Sequence, residues 1–252
     1  MAEKKSPKSV LQIAMMGLLV VAAFAIGSMW TELRMLKRGG VKQEAVGEAP
    51  GESEEVTELT DEQWEQVLSS SAASKGDVGA AVTIVEFSDY QCAYCAEYAG
   101  FDAIPTKPID EGQTLSQIMR DYVETGKVRY IFRDLALHGE TAVRMAEAAR
   151  CAGDQDNYWG MHDKLFGNQA AFNTGDVNQL TNGYAAELGL DQTQFDSCMS
   201  EEKYAEAVSN DLVLGQQIGT KATPTFYVNG IKLLGAQGFE VFQGMIDGIL
   251  GE

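Results

Sequence analysis

Cys92 and Cys95, separated by Ala93 and Tyr94, follow directly on the apolar run Val82-Thr83-Ile84-Val85-Glu86-Phe87, so two thiols stand where a strand hands over to a helix. A cysteine at a helix start faces unpaired backbone N–H groups and the positive end of the helix dipole, which favour thiolate over thiol. That makes Cys92 the candidate nucleophile of thiol–disulfide exchange. Cys95, one turn further on, is spaced to close a small disulfide ring and expel whatever Cys92 has bonded, and is the candidate resolving thiol. A zinc site would need a second CxxC or two closely spaced histidines, whereas Cys151, Cys198, His138 and His162 each stand alone in the sequence. No metal or cofactor is predicted, and neither histidine is given a catalytic role.

Two further features bear on that chemistry. Glu86 lies six residues before Cys92 and shares strand parity with Val82 and Ile84, which predicts burial. Desolvation would raise its pKa and let it pass protons to and from the thiols, if the strand end brings it beneath the helix start; the alternative is an edge carboxylate facing water. The stretch Ala222-Thr223-Pro224-Thr225-Phe226-Tyr227-Val228, then Asn229-Gly230, then Ile231-Lys232-Leu233-Leu234, reads as strand, two-residue turn, strand. A cis Thr223–Pro224 bond at its start would turn backbone groups outward to pair with an extended peptide, while a trans bond would only open the strand. The sequence alone leaves both open.

The elements that must position these residues follow from periodicity and caps. Strand 128–132 reads as central, segments 140–152, 157–166, 177–188 and 192–219 read as helices inserted before the strand at Pro224, and 239–250 reads as a closing helix. Within the insert, Cys151 and Cys198 are expected to form a structural disulfide, closing a loop of about 48 residues and stabilising by roughly 4 kcal/mol on a chain-entropy estimate.

Before this folded part, residues 1–9 carry Lys4, Lys5 and Lys8, and Val10 to Trp30 run without a charge. As a helix residues 10–30 would span about 31 Å, enough for one membrane crossing; the alternative is a signal peptide cleaved near Ala23-Phe24-Ala25, leaving a secreted or periplasmic protein. Residues 31–74 read as an acidic flexible linker in which Thr60-Asp61-Glu62-Gln63 has capping-box spacing for one short helix. Residues 75–252 read as one domain with a helical insert over about 139–219. The net charge of −18 disfavours nucleic acid as a partner.

Taken together, Lys75-Gly76-Asp77, the segment from Val82 to Cys95, the segment Gly126-Lys127-Val128-Arg129-Tyr130-Ile131-Phe132-Arg133-Asp134, and Thr223-Pro224-Thr225-Phe226 resemble the thioredoxin superfamily, and within it the DsbA-like thiol:disulfide oxidoreductases of bacterial cell envelopes. The resemblance implies a thioredoxin α/β fold with an inserted helical domain, a redox-active disulfide at Cys92 and Cys95, a buried acid at Glu86, and a cis-proline loop at Thr223-Pro224. It further implies donation of disulfides to cysteine-containing proteins on the extracytoplasmic side, with a membrane redox partner. Members usually carry Pro after the first active-site cysteine and often His before the second; with Ala93-Tyr94 instead, the disulfide is expected to be less oxidising than in the strongest members. A reductase or isomerase, or a noncatalytic tethered binding module, is the alternative. Gly79-Ala80-Ala81 and Leu135-Ala136-Leu137 lack prolines that relatives tend to have, and residues 100–112 read as an inserted loop after the active-site helix.

Overall fold

The computed structural model describes residues 58–101, 103 and 114–252. Helix α1 (Asp61–Ser69) starts from the capping box of Thr60 and Gln63. It is followed by strands β1 (Ala73–Lys75) and β2 (Val82–Ser88), helix α2 (Ala93–Tyr98), helix α3 (Thr114–Ile118) running into a π-helical turn at Met119–Val123, and strand β3 (Val128–Asp134). The insert then supplies α4 (Glu140–Gly153), α5 (Tyr158–Gly167), a 3₁₀ turn at Gln169–Asn173, α6 (Val177–Glu187), α7 (Gln192–Ser200) and α8 (Ala205–Gln217). Strands β4 (Thr225–Val228) and β5 (Ile231–Leu234) and helix α9 (Phe239–Leu250) complete the chain.

The strands form one mixed sheet in the order β1-β3-β2-β4-β5. β2 and β3 run parallel, from Val82 opposite Val128 to Ser88 opposite Asp134. β4 pairs antiparallel with β2 and with β5, to which it connects through Asn229-Gly230. Alternation gives β2 two working faces. Ile84, Glu86 and Ser88 look to the side holding Tyr98, Tyr130, Phe226 and Phe242. Val85 and Phe87 look to the other, where Ile131, Leu135, Tyr227 and Val67 of α1 form a second core. Gly76 makes the turn after β1 with φ +87°, and a Cβ there would meet the Val128 carbonyl at 2.4 Å, so glycine is required on both counts.

Helix α1, read as part of the linker, is docked on the sheet: Val67 is fully buried, Leu59 N–H donates to the Gly230 carbonyl, and the Arg133 guanidinium donates to the carbonyls of Gln66 and Val67 in the last turn of α1. The helix expected over 192–219 is two helices, broken at residues 201–204, where Glu202 takes φ 50°. β1 was not anticipated, since three residues with two of them exposed carry no readable alternation. The charge-free stretch 10–30, the linker up to residue 57 and most of the expected loop 100–112 lie outside the described residues. Among the described residues no helix is long and apolar enough to cross a membrane.

Cys151 on α4 and Cys198 on α7 are joined by a disulfide, with Cα atoms 5.9 Å apart. It ties two helices of the insert together.

Candidate active site

β2 ends at Ser88, and after three intervening residues the chain enters α2 with Cys92 as its N-cap. The turn is closed by Cys92 N–H donating to the Asp89 carbonyl at 3.0 Å, and α2 starts with the N–H groups of Cys95 and Ala96 donating to the Cys92 carbonyl. No side-chain oxygen caps this end, so the Cys92 sulfur sits where a capping acceptor would. Its Sγ also lies 3.3 Å from the Thr223 carbonyl, the residue before the cis peptide bond to Pro224. The loop opening the β4–β5 hairpin is therefore in direct contact with Cys92, although it is 131 residues away in sequence.

Cys92 and Cys95 are both free thiols, and their surroundings divide them. The Cys92 thiol is held down to about 6, chiefly because the Cys95 thiol donates to its thiolate, with Thr223 and the backbone N–H groups of Cys95 and Tyr94 adding to this against a desolvation penalty. Cys95 is fully buried, and burial together with the neighbouring Cys92 and Glu86 charges pushes its pKa well above the ordinary thiol value. One cysteine is mostly thiolate at neutral pH and the other is a thiol.

Glu86 is 1% exposed and receives a short hydrogen bond from the Tyr130 hydroxyl. Burial pushes its carboxyl up to about 7, against the opposite pull of the Tyr130 and Ser88 hydroxyls and with a small upward push from Cys92. An acid half-protonated at neutral pH beneath a pair of thiols can give or take a proton without a large change in driving force.

Several residues that shape the site were not found by sequence reasoning. The Asp89 carboxylate, buried, accepts from the N–H groups of Gln91 (2.8 Å), Leu137 (2.6 Å) and His138 (3.0 Å) and pairs with the His138 ring at 2.8 Å, fastening the CxxC turn to the loop after β3. Its spacing to Gln91 is that of an Asx-turn, a signal that was present. Gln169 donates to the carbonyls of Tyr90 (2.7 Å) and Cys92 (3.0 Å) from the far side of the insert, and nothing local to it announces that role. Tyr130 needed the β2–β3 register. His138 is thus a loop clamp, and His162 is buried among the rings of Tyr90, Phe132, Trp159 and Phe166, where desolvation lowers its pKa. Among the described residues no cluster of His, Cys, Asp and Glu is arranged to hold a metal ion.

Comparison with known proteins agrees with this geometry. A family model described as thioredoxin matches residues 70–248. Disulfide bond formation protein D of Bacillus subtilis is 30% identical over 163 residues, which cover 61% of this chain and 66% of that protein. Na(+)/H(+) antiporter NhaA 1 of Salinispora arenicola is 30% identical over 175 residues, 68% of this chain, and the match spans only 24% of the antiporter. The chain thus spans about a quarter of the length of such relatives. Among solved structures, oxidised BdbD from Bacillus subtilis superposes with a TM-score of 0.60 at 25% identity, covering 71% of this chain and 92% of that one.

Proposed function

The chain belongs to the thioredoxin family, and from that premise we propose that it is a DsbA-like thiol:disulfide oxidoreductase which donates the Cys92–Cys95 disulfide to cysteine-containing proteins on the extracytoplasmic side, and is reoxidised by a membrane partner. The observation that carries this reading is the split between the two thiols: Cys92, lowered to about 6, is the better leaving group and nucleophile, and buried Cys95 is held as the reserve thiol. In donation, a substrate thiolate attacks Cys92 Sγ. A substrate–Cys92 bond forms, the Cys92–Cys95 bond breaks, and the electron pair departs on Cys95. A second substrate thiolate then attacks the substrate sulfur and releases Cys92 as a stabilised thiolate, so the substrate is oxidised and the protein reduced. Glu86 supplies the proton that Cys95 takes up.

The Cys151–Cys198 disulfide supports an oxidising compartment. Disulfide bond formation protein D is named for that process, and the relationship supports the direction proposed. The second reading, a reductase, is favoured by one observation. A Cys92 value of about 6 lies closer to about 7 for thioredoxin than to about 3.5 for the strongly oxidising DsbA.

Replacing Cys92 with Ser is expected to abolish exchange with a small disulfide and to leave Cys95 unreactive. Exchange retained in that variant would overturn the mechanism. The reduction potential of the Cys92–Cys95 pair then decides direction: a value near or below thioredoxin's, about −270 mV, replaces donor by reductase.

A further inference from the structure

Glu86 is placed to serve Cys95, yet no hydrogen bond joins them among the described contacts. Its carboxylate is engaged by Tyr130, and it reaches Cys95 only as a neighbouring charge. A hydroxyl within reach of both is that of Ser88. It follows Glu86 by two residues on the same face of β2, at the last position of the strand, where the chain turns up into the CxxC segment. It is 1% exposed, as is Glu86, and Cys95 is fully enclosed, so bulk water does not bathe the gap. The Ser88 main chain is fixed by Leu135 N–H donating to its carbonyl at 2.7 Å. Its hydroxyl is not fixed: Oγ is buried without a settled hydrogen-bond partner, a costly condition for a hydroxyl unless it is used. Both neighbours feel it nonetheless, since donation from Ser88 favours the charged form of Glu86 and that of Cys95 alike.

We propose that the Ser88 hydroxyl is the proton relay between the Glu86 carboxyl and the Cys95 sulfur. This inference rests on the oxidoreductase reading above and adds a residue to its machinery. As the Cys92–Cys95 bond breaks and the electron pair collects on Cys95, the Ser88 O–H gives its proton to that sulfur while the Glu86 O–H gives its own to Ser88. Ser88 ends unchanged, Cys95 ends as a thiol, and Glu86 ends as a carboxylate held by the Tyr130 hydroxyl. When the disulfide is re-formed the same proton returns by the same route. The direction of transfer suits the groups, because Cys95 binds a proton far more tightly than Glu86 does.

The other groups facing this path do not offer a substitute. Cys92 contributes a negative charge, the Tyr130 hydroxyl is spent on Glu86 and the Tyr90 hydroxyl on Tyr158, and among the described contacts Ser88, not Tyr90, Tyr98 or Tyr130, is the hydroxyl that hydrogen-bonds Cys95. Asp134, beside Ser88 across the β2–β3 pairing, is engaged by Arg150 at 2.6 Å.

The test uses the full chain with Ser88→Ala, and Ser88→Thr as the variant that keeps a hydroxyl. Two rates are measured against pH: attack of reduced glutathione on the oxidised protein, which requires Cys95 to leave, and alkylation of Cys92 in the reduced protein, which does not. General acid assistance is worth about 10²- to 10⁴-fold, and loss of the relay is expected to slow glutathione attack about tenfold or more in Ser88→Ala. Alkylation of Cys92 should stay within about twofold, and Ser88→Thr should recover most of the rate. A solvent isotope effect on glutathione attack, present in the wild type and diminished in Ser88→Ala, is expected as well. Ser88→Ala matching the wild type in rate, pH profile and isotope effect overturns the relay. So does an equal fall in both rates, which marks a merely structural serine. Wild-type protein that exchanges with no disulfide at all overturns the oxidoreductase reading instead.

Discussion

β2 and β3 bury an ionisable side chain on each of their faces, and the two are handled in opposite ways. On the face toward α2, Glu86 meets hydroxyls and thiols: Tyr130, Ser88, Cys92 and Cys95. On the other, fully buried Arg133 meets Asp211 of α8 and the last carbonyls of α1, and Asp211 in turn takes Arg150, which holds Asp134. A buried charge with a counter-charge specifies how elements dock, although burial still raises the Asp211 carboxyl to about 6. A buried acid with only neutral or thiol neighbours is left to titrate near neutral pH, which is what a proton donor needs. The same depth in the same sheet therefore yields a structural joint on one side and a chemical group on the other, and the partners decide which.

The hardest test of this contrast is Asp211→Asn. It leaves Arg133 and Arg150 buried without their shared counter-charge and is expected to cost about 3–5 kcal/mol in urea unfolding, while the Cys92 thiolate, followed by its ultraviolet absorbance, keeps its titration. A shift of the Cys92 titration in that variant would mean the two faces are not separate.

Glu86→Gln should do the reverse. A carboxyl raised from 4.5 to about 7 in the folded dithiol protein contributes stability that is full below pH 4.5 and is lost as pH rises through about 7, a loss of about 3 kcal/mol in all. Cys92, lowered from 9 to about 6, has the opposite slope above pH 6, and Asp211, raised from 3.8 to about 6, has the same slope as Glu86 up to about pH 6, so Glu86 is read as the difference between the wild type and Glu86→Gln. From about pH 4.5 to 7 the wild type should lose stability with rising pH more steeply than Glu86→Gln, which keeps the Asp211 contribution. At pH 8 the variant should be the more stable by about 3 kcal/mol and the slower in exchange. Equal slopes in the wild type and Glu86→Gln would show that Glu86 is ionised throughout.

The chemical face was the more legible of the two. Cys92 and Cys95 declare themselves by spacing and by the strand before them, Glu86 by parity with Val82 and Ile84, and the β4–β5 hairpin by Asn229-Gly230. All are local signals within a few residues. The structural face depends on pairs such as Arg133 with Asp211, 78 residues apart, and Arg133 with Val67, 66 apart, which no local pattern announces. The same limit hid what α1 docks on. Its capping box and apolar positions were visible, but the sheet end of Arg133 that receives its last carbonyls was not, and an acidic stretch before it reads as linker. Gln169 was missed for the same reason, while Asp89 and Ser88 were within reach of the Asx-turn and parity rules that found their neighbours.

Gly215→Ala probes the structural face at its closest approach. Gly215 lies on α8 where a Cβ would stand 2.5 Å from Leu135 Cδ1 and 3.5 Å from Phe87 Cδ1, both residues being fully buried. Alanine would gain about 0.5–1 kcal/mol of helix propensity, but forcing a methyl into a packed contact costs about 1–3 kcal/mol. The clash is with the end of a side chain, so it relaxes in part, and a net loss of about 1 kcal/mol is expected in urea unfolding. Phe87 and Leu135 sit on the Arg133 side of the sheet, so the exchange rate and the Cys92 titration should not move. If stability rose instead, the contact between α8 and the sheet would be loose enough to absorb a methyl. If the Cys92 titration moved with it, Phe87 would be transmitting packing on one face to charge on the other, through the single strand that carries both.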